Sequence, residues 1–281
     1  QFGPDFQEIE IEEALKSKKV RLVEGDIRDR DLLENLFAGV DYCFHMAALR
    51  ITQCAEKPSE AKDVMLNGTY NLAEACIRHK VKKTILASSA SVYGQASHFP
   101  TSENHPPYNN YTFYGAAKMA NELMFRSFHE MYGYRYNALR FFNIYGPRMD
   151  TYGKYTEVLI KWYRLIREGK RPVLFGDGGQ TMDFVYVEDI ANANILAMKT
   201  DAVDEVYNVG SEVETSLKEL CHSLLEVMES KIEPEYIAMP LDRKKVEVRR
   251  RLADTKKIKS IGFRTTHDLK DGLKKLVSWL D

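Results

Sequence analysis

The stretch "VKKTILASSASVYG", residues 81–94, carries the main indication of the fold. Its first half is an apolar run with β-branched residues, which is typical of a buried strand in a parallel sheet. The run ends in Ser88 and Ser89. Open parallel sheets bind their ligands at the carboxyl ends of their strands. We therefore expect these hydroxyls at a ligand-binding edge, although a serine there can also serve only to cap the next turn.

The next motif is "FYGAAK", residues 113–118, at the start of a predicted helix. Tyr114 and Lys118 lie one helical turn apart, so their side chains project from the same face. An ammonium beside a phenol favours the phenolate and lowers the tyrosine pKa from about 10. Tyr114 would then accept a proton from a substrate hydroxyl near neutral pH. By itself the pair also fits a surface lysine beside an interface tyrosine, so its position after Ser88 and Ser89 matters.

Strand-like and helix-like segments alternate along the chain. Three segments read as further strands: "KVRLVEGDI" (19–27), "VDYCFHMAA" (40–48) and "RYNALRFFN" (135–143). This alternation predicts an α/β fold, a Rossmann-like doubly wound parallel sheet. We expect a dinucleotide-binding domain over residues 1–147 and a smaller, mainly substrate-binding C-terminal lobe over 148–281. A segment at about 183–200 is expected to return to the Rossmann sheet.

Composition argues against several classes of function. The formal net charge of −1 disfavours nucleic-acid binding, which needs a concentrated basic face. The 4 cysteines show no CxxC spacing and the 7 histidines are scattered, so we expect neither disulfides nor a metal site. No apolar run reaches the roughly 18 residues of a membrane helix, and no signal peptide is recognisable. These features predict a soluble, cytoplasmic protein without membrane or nucleic-acid partners.

Seven motifs in order make a more specific pattern: "EGDIRD", "HMAA", "SSASVYG", "FYGAAK", "LRFFNIYGPR", "DFVYVEDIA" and "YNVGS". With this set the chain resembles the extended short-chain dehydrogenase/reductase family, in its nucleotide-sugar epimerase and dehydratase branch. The resemblance runs from about residue 20 to residue 280. It implies NAD as cofactor and a nucleoside diphosphate-sugar as ligand, with a UDP-sugar expected.

The resemblance also implies roles for individual residues. Tyr114 would be the acid/base, Lys118 would hold the nicotinamide ribose and favour the phenolate, and Ser89 would bind the reacting sugar hydroxyl. The implied cofactor contacts are Asp26 and Ile27 at the adenine, Ala47, Ala48 and Arg50 at the pyrophosphate and ribose, Phe141 near the nicotinamide, and Ser88. The implied substrate contacts are Ser89, Asn143, Arg148 and Lys244. Residues 61–80 and the helix of Tyr114 resemble the pair that forms the dimer interface of relatives, which predicts a homodimer.

The residues after Ser89 bear on the reaction. Dehydratases of this branch carry an Asp-Glu pair there, and decarboxylating relatives keep the Glu, whereas this chain has Ala90 and Ser91. Neither side chain exchanges a proton near neutral pH, so elimination and decarboxylation are disfavoured. We expect inversion at C4 through a transient 4-keto sugar. The alternatives are a reductase or dehydratase of the same family, or a non-catalytic sugar-nucleotide-binding protein.

The chain departs from the family pattern at several positions. Met182 and Lys244 stand where relatives usually have phosphate-binding arginines, and methionine cannot pair with a phosphate. Arg148 or one of the arginines at 249–251 can compensate. Met65 stands where the family often has Asn. A Gly-rich pyrophosphate-binding turn and the first βαβ unit are missing, since only Gly3 precedes the "EGD" turn. We expect that the sequence is incomplete at its amino end; the alternative is a natural protein without that unit.

Overall fold

The structure is a computed structural model that describes residues 20–151, 157–239 and 248–281. Gly3 and Lys244 lie outside the described residues. The central sheet consists of β1 (Tyr42–His45), β2 (Lys83–Ser89), β3 (Tyr136–Phe141) and β7 (Glu205–Val209). The strands lie in the order β1-β2-β3-β7, and each neighbouring pair is parallel. Their carboxyl ends therefore meet at one edge of the sheet.

Helices cover both faces of this sheet. They are α1 (Arg30–Phe37), α2 (Ile51–Glu56), α3 (Pro58–Lys62), α4 (Thr69–Arg78), α5 (Phe113–Tyr132) and α7 (Val187–Lys199). On one face Leu33, Leu72 and Phe125 of α1, α4 and α5 form a core cluster with the strands. On the other face Ile190 and Ala193 of α7 do the same. The predicted doubly wound α/β fold is thus confirmed, and none of the described helices is long and apolar enough to cross a membrane.

The start of α5 determines where Tyr114 lies. The Thr112 side chain caps the helix by accepting a hydrogen bond from the Gly115 amide at 3.1 Å. Gly133 ends the helix in the left-handed conformation, with a φ of +66°. Tyr114 is therefore in the first turn and Lys118 lies one turn later, both beside the end of β2.

The second half of the chain builds two further small sheets and a separate core. Its strands are β4 (Asn143–Tyr145), β5 (Val173–Phe175), β6 (Thr181–Tyr186), β8 (Glu214–Ser216) and β9 (Glu235–Ile237). The helices are α6 (Val158–Arg167), α8 (Leu217–Val227), α9 (Lys256–Lys259) and α10 (Leu269–Leu280). Trp162, Leu220 and Leu273 of α6, α8 and α10 share one apolar cluster. Helix α7 does not join this cluster but packs on the central sheet. The division of the chain into two domains at residue 147 stays a prediction.

Two local predictions differ from the structure. Residues 20–26 were expected to form a strand but have no regular structure, and Val20 and Leu22 are 49% and 62% exposed. No described strand lies beside them, and a strand needs a neighbour to satisfy its backbone groups. The helix expected over residues 61–80 is interrupted by a π-helical segment, Asp63–Gly68, between α3 and α4.

Candidate active site

A cavity of about 790 Å³ opens at the carboxyl edge of the central sheet. One wall comes from the ends of β1 and β2 and the start of α5, and the other from α6 and β5. The sheet side contributes Ala48, Arg50, Ser89, Ser91, Tyr114 and Asn143, and the lobe side contributes Glu157, Val158, Lys161, Trp162, Leu165, Val173 and Phe175. Arg251 joins the sheet side from the C-terminal region. The cavity is therefore where an open α/β sheet is expected to bind a ligand.

Ser89, Tyr114 and Lys118 come together at this edge. The Ser89 hydroxyl accepts a hydrogen bond from the Ser91 amide at 3.1 Å, and Ser89 lies close enough to Tyr114 to lower the pKa of the phenol. The Lys118 Nζ is buried and donates to the Ala87 carbonyl oxygen at 2.5 Å. It lies 5.8 Å from the centre of the Tyr114 ring. The three side chains predicted to be catalytic thus lie within one small region beside the cavity.

The pKa of Tyr114 differs from the sequence-based expectation. Burial raises it above the usual value, and this effect exceeds the hydrogen bond from Ser89 and the charge of Arg251, which both lower it. Burial also lowers the pKa of Lys118 to about 8. The Lys118 ammonium donates to the Ala87 carbonyl oxygen, and no hydrogen bond joins it to the Tyr114 phenol among the described residues. The predicted lowering of the Tyr114 pKa by Lys118 is therefore not found in this structure.

The residues expected at the nicotinamide fit that half of NAD. Lys118 presents a buried ammonium at the end of β2, and Phe141 ends β3 beside it. Ala47 and Ala48 follow β1 and are exposed, so their small side chains leave the sheet edge open to a bulky ligand. The ammonium can donate a hydrogen bond to a ribose hydroxyl, and the open edge beside Phe141 leaves room for the nicotinamide ring.

The residues expected at the adenine lie together as well. The Asp26 carboxylate is exposed and accepts hydrogen bonds from the Arg28 side chain and amide, which lower its pKa. Ile27 packs against Gly68, where an added Cβ would come within 2.7 Å of the isoleucine Cγ1. The carboxylate can accept hydrogen bonds from a ribose or a base, and the isoleucine side chain can pack against the flat face of the base. The present residues therefore fit both ends of the cofactor.

Ser88 and Arg50 lie in different surroundings. Ser88 is buried, and its hydroxyl donates to the Glu122 carboxylate, on the opposite side of β2 from Ser89. Ser88 therefore belongs to a buried hydrogen-bond network and does not line the cavity. Arg50 does line the cavity and pairs with Asp150 at 3.1 Å.

The expected substrate contacts are only partly brought together. Asn143 lines the cavity, and its buried Oδ1 has no hydrogen-bond partner among the described residues. A buried acceptor without a partner is costly, which makes this atom a candidate ligand contact. Arg148 has a φ of +67° and is absent from the described lining of the cavity. Lys244 lies outside the described residues.

Two methionines replace polar residues of the family pattern. The Met65 Sδ accepts a hydrogen bond from the Leu49 amide at 3.4 Å, so the sulfur ties the π-helical segment to the loop after β1. Met182 lines a separate cavity of about 120 Å³ with Met149 and Phe184. Met182 is thus an apolar packing residue with no means of binding a phosphate.

The lobe-side wall was missed by the sequence reasoning. It is largely apolar, and the Trp162 indole donates to the Val173 carbonyl at 2.8 Å, which fixes α6 against β5. The apolar spacing of α6 fits a helix with one buried face. It could not show that part of that face borders a ligand cavity, because this depends on how the lobe folds over the sheet.

Comparison with known proteins gives consistent results. Residues 7–210 match the model of the NAD dependent epimerase/dehydratase family. A putative UDP-glucose 4-epimerase from Methanocaldococcus jannaschii is 35% identical over 265 residues, 93% of this chain and 84% of that protein. The UDP-glucose 4-epimerase of Thermotoga maritima, solved with UDP-glucose, superposes with a TM-score of 0.88 at 32% identity, covering 94% of this chain and 85% of that one.

A second solved structure contains the cofactor. It is the UDP-glucuronic acid 4-epimerase of Bacillus cereus, in complex with a fluorinated UDP-glucuronic acid and NAD. It superposes with a TM-score of 0.86 at 25% identity, covering 96% of this chain and 84% of that one. The resemblance and the cofactor inferred from the sequence motifs are confirmed. The chain belongs to the NAD-dependent epimerase/dehydratase family, whose cofactor is NAD.

Proposed function

We propose that this protein is a 4-epimerase of a UDP-sugar, which inverts C4 through a transient 4-keto sugar. The observation that carries the proposal is the grouping of Ser89, Tyr114 and Lys118 at the cavity edge, without a carboxylic acid at the two positions after Ser89. The names of the relatives support the same substrate class, since they are UDP-glucose and UDP-glucuronic acid 4-epimerases.

The three side chains suit a reversible proton transfer at one sugar hydroxyl. In the proposed reaction Tyr114 acts as a phenolate, which the positively charged nicotinamide ring of bound NAD and the ammonium of Lys118 would favour against the burial that raises its pKa. The phenolate oxygen accepts the proton of the C4 hydroxyl, and the Ser89 hydroxyl holds the same C4 oxygen by a hydrogen bond. Lys118 would hold the nicotinamide ribose, and at pH 7 its ammonium is largely charged because its pKa is about 8. When bound, NAD supplies the site that takes hydride from C4 and returns it.

Inversion requires only that the keto sugar turns over before the hydride and proton return. Tyr114 then gives the proton back to the C4 oxygen, which Ser89 again holds, while the hydride returns to the opposite face of C4. Ala90 and Ser91 are both buried and provide no carboxylic acid for the loss of water across C5–C6. The set of proton carriers is therefore sufficient for epimerisation and insufficient for the family's dehydration reaction.

The proposal is tested with the purified full-length protein in two steps. Denaturation should release NAD that copurifies with the protein, because the cofactor is regenerated in each cycle and can stay bound. The protein is then supplied with single members of UDP-sugar pairs that differ at C4, and the products are separated by chromatography. Formation of the 4-epimer is expected for at least one pair, and no conversion of any pair would contradict the proposal.

We also propose that the protein is a homodimer. Tyr70 of α4 and Leu123 of α5 are 40% and 57% exposed, which is unusual for such large apolar side chains. Tyr70 also meets Phe128 of α5 edge to face, with 6.0 Å between ring centres, so both helices contribute to one surface. Light scattering should give twice the mass of one chain, and Leu123→Glu should lower that mass. A monomeric mass for the unaltered protein would contradict the proposal.

A further inference from the structure

Three consecutive arginines, Arg249, Arg250 and Arg251, have different surroundings. Arg249 is exposed and lies 3.9 Å from the Asp177 carboxylate. Arg250 forms a bidentate ion pair with Glu214, with both nitrogen–oxygen distances at 2.7 Å, and its guanidinium stacks on the Phe99 ring. Only the third arginine turns towards the candidate active site, so a possible ligand-binding role falls to Arg251.

Arg251 reaches the cavity at the end where Tyr114 lies. Together with Ser91 and Tyr114 it lines the large cavity, and with Ser91 and Asn110 it also lines a neighbouring space of about 20 Å³. The Arg251 guanidinium is close enough to Tyr114 for its charge to oppose the rise in the tyrosine pKa that burial causes. The guanidinium therefore borders the side of the cavity where the proposed reaction takes place.

The charge of Arg251 has no carboxylate partner among the described residues. Its Nε is buried and makes no hydrogen bond there, and burial lowers the pKa of the guanidinium. Arg251 is only partly exposed, and a cation held there without a partner is costly, whereas a bound anion would supply the missing charge and hydrogen bonds. Guanidinium groups bind carboxylates and phosphates by two parallel hydrogen bonds.

The ring geometry of the sugar decides between these two anions. C4 and C1 lie at opposite ends of a pyranose ring, and the diphosphate is attached at C1. C4 has two ring neighbours: C3, which carries a hydroxyl, and C5, which carries C6. If Tyr114 holds the C4 hydroxyl, as the proposed function requires, a cation beside Tyr114 borders the substituent of C3 or of C5 and not the diphosphate. Of these two, only the C5 substituent, C6, can be a carboxylate.

We propose that Arg251 binds a carboxylate at C6, so that the substrate of this protein is a UDP-uronic acid; this inference rests on the proposed function. Ser91 lines the cavity next to Arg251, and its hydroxyl would donate a hydrogen bond to the same carboxylate. A neutral C6 hydroxymethyl group would leave the guanidinium without its ionic partner. The site is thus built to discriminate by charge at C6.

The test compares UDP-glucuronic acid with UDP-glucose as substrates of the full-length protein containing NAD. Formation of each 4-epimer is followed by chromatography, and kcat/KM is measured for both. UDP-glucose cannot make the charge-paired contact at C6. We therefore expect kcat/KM for UDP-glucuronic acid to exceed that for UDP-glucose roughly 100-fold or more. Arg251→Met should reduce this preference by a similar factor, whereas the control Arg249→Met should keep it.

The affinity for UDP separates the two possible anions. UDP carries the diphosphate but no C6 carboxylate, so Arg251→Met should bind UDP with the same Kd as the unaltered protein. Weaker binding of UDP, matching the loss in turnover, would assign Arg251 to the diphosphate and overturn the inference. Equal or faster turnover of UDP-glucose by the unaltered protein would also overturn it but leave the proposed 4-epimerase intact. Turnover of neither sugar would also overturn the inference, and the proposed function itself would be contradicted only if no other UDP-sugar pair that differs at C4 were converted either.

Discussion

The two walls of the cavity are built differently. On the sheet side the functional side chains are held by buried polar contacts, such as Lys118 on the Ala87 carbonyl and the Ser88–Glu122–Arg140 network behind it. The lobe side is mainly apolar, with Val158, Trp162 and Phe175 facing the same space. Proton transfer needs fixed distances and directions, which hydrogen bonds provide. An apolar wall like that of the lobe side can contact the flat base of a nucleotide through its surface area and complementary shape.

The departures from the family pattern that the structure describes fall on both sides: Met65 packs beside Tyr114 on the sheet side, and Met182 lies in the lobe. Met182, which replaces a phosphate-binding arginine of relatives, lies on the lobe side among Met149 and Phe184. The sheet side keeps the serine, tyrosine and lysine of the family pattern. We expect substitutions on the sheet side to affect turnover or folding and substitutions on the lobe side to affect ligand affinity.

The largest effect is expected from Tyr114→Phe. The change removes the proposed acid/base but keeps the aromatic ring, so kcat should fall about 1000-fold or more, while the Kd for UDP stays within about twofold. Turnover and UDP binding are measured on the same preparation. The control is Tyr108→Phe, because that side chain is almost fully exposed. Full activity of Tyr114→Phe would assign the proton transfer to another group.

The second-largest effect is expected from Glu122→Gln. Glu122 pairs with Arg140 at 2.7 Å, both side chains are buried, and burial alone would disfavour the arginine charge. Removing the carboxylate leaves that cation without its partner, so the free energy of unfolding should fall by about 3 kcal/mol.

Denaturant unfolding measures this loss. The exposed Glu130 of the same helix provides the control Glu130→Gln, for which the change should stay within about 0.5 kcal/mol. Equal stability of both variants would show that the buried network contributes little to folding.

A smaller effect is expected in the pH dependence of stability. Burial and then the charge of Lys118 lower the pKa of His45 to about 3 in the folded protein, from 6.5. The unfolded chain therefore takes up a proton at His45 below pH 6.5 and the folded protein does not, so acid favours unfolding. Stability from this group is complete above pH 6.5 and is lost as the pH falls towards 3. At pH 5 the loss should be about 2 kcal/mol.

The variant His45→Gln removes the titration and keeps a donor for Thr69, whose hydroxyl lies 2.9 Å from the histidine Nε2. Unfolding free energies at pH 7 and pH 5 should then differ less than in the unaltered protein. His222→Gln, at an exposed position, is the control. An unchanged difference between the two pH values would assign the acid sensitivity to other groups.

The smallest effect is expected from Phe175→Ala on the lobe side. Loss of apolar contact with the ligand should raise KM about tenfold and leave kcat within about twofold. The control Tyr236→Ala changes an exposed aromatic on the neighbouring strand β9. A fall in kcat without a change in KM would mean that the two walls do not divide recognition and chemistry.

The sequence predicted well those features that depend on nearby residues. Continuous apolar runs indicated β2 and β3, and α5 begins at Phe113, after its cap Thr112, where the motif "FYGAAK" predicted the start of a helix. Tyr114 and Lys118 share a face because they lie one turn apart on this helix. Their approach to Ser89 followed from the rule that ligands bind at the carboxyl ends of parallel strands.

Other features depend on distant neighbours and could not be predicted in this way. Residues 20–26 have an apolar pattern but no described strand to pair with. Ser88 and Ser89 look alike in the sequence, yet they point to opposite sides of β2, and only the position of Glu122 shows which one is in the buried network.

The sequence by itself determined the α/β class, the order of the motifs and the side chains available for proton transfer, because these follow from local spacing and residue chemistry. Tertiary structure decided which of three adjacent arginines borders the cavity and how the lobe closes it. It also decided the pKa of Tyr114, where burial outweighs the nearby charges. Burial and charge pairing arise only when segments distant in the chain pack together, so local patterns do not contain them.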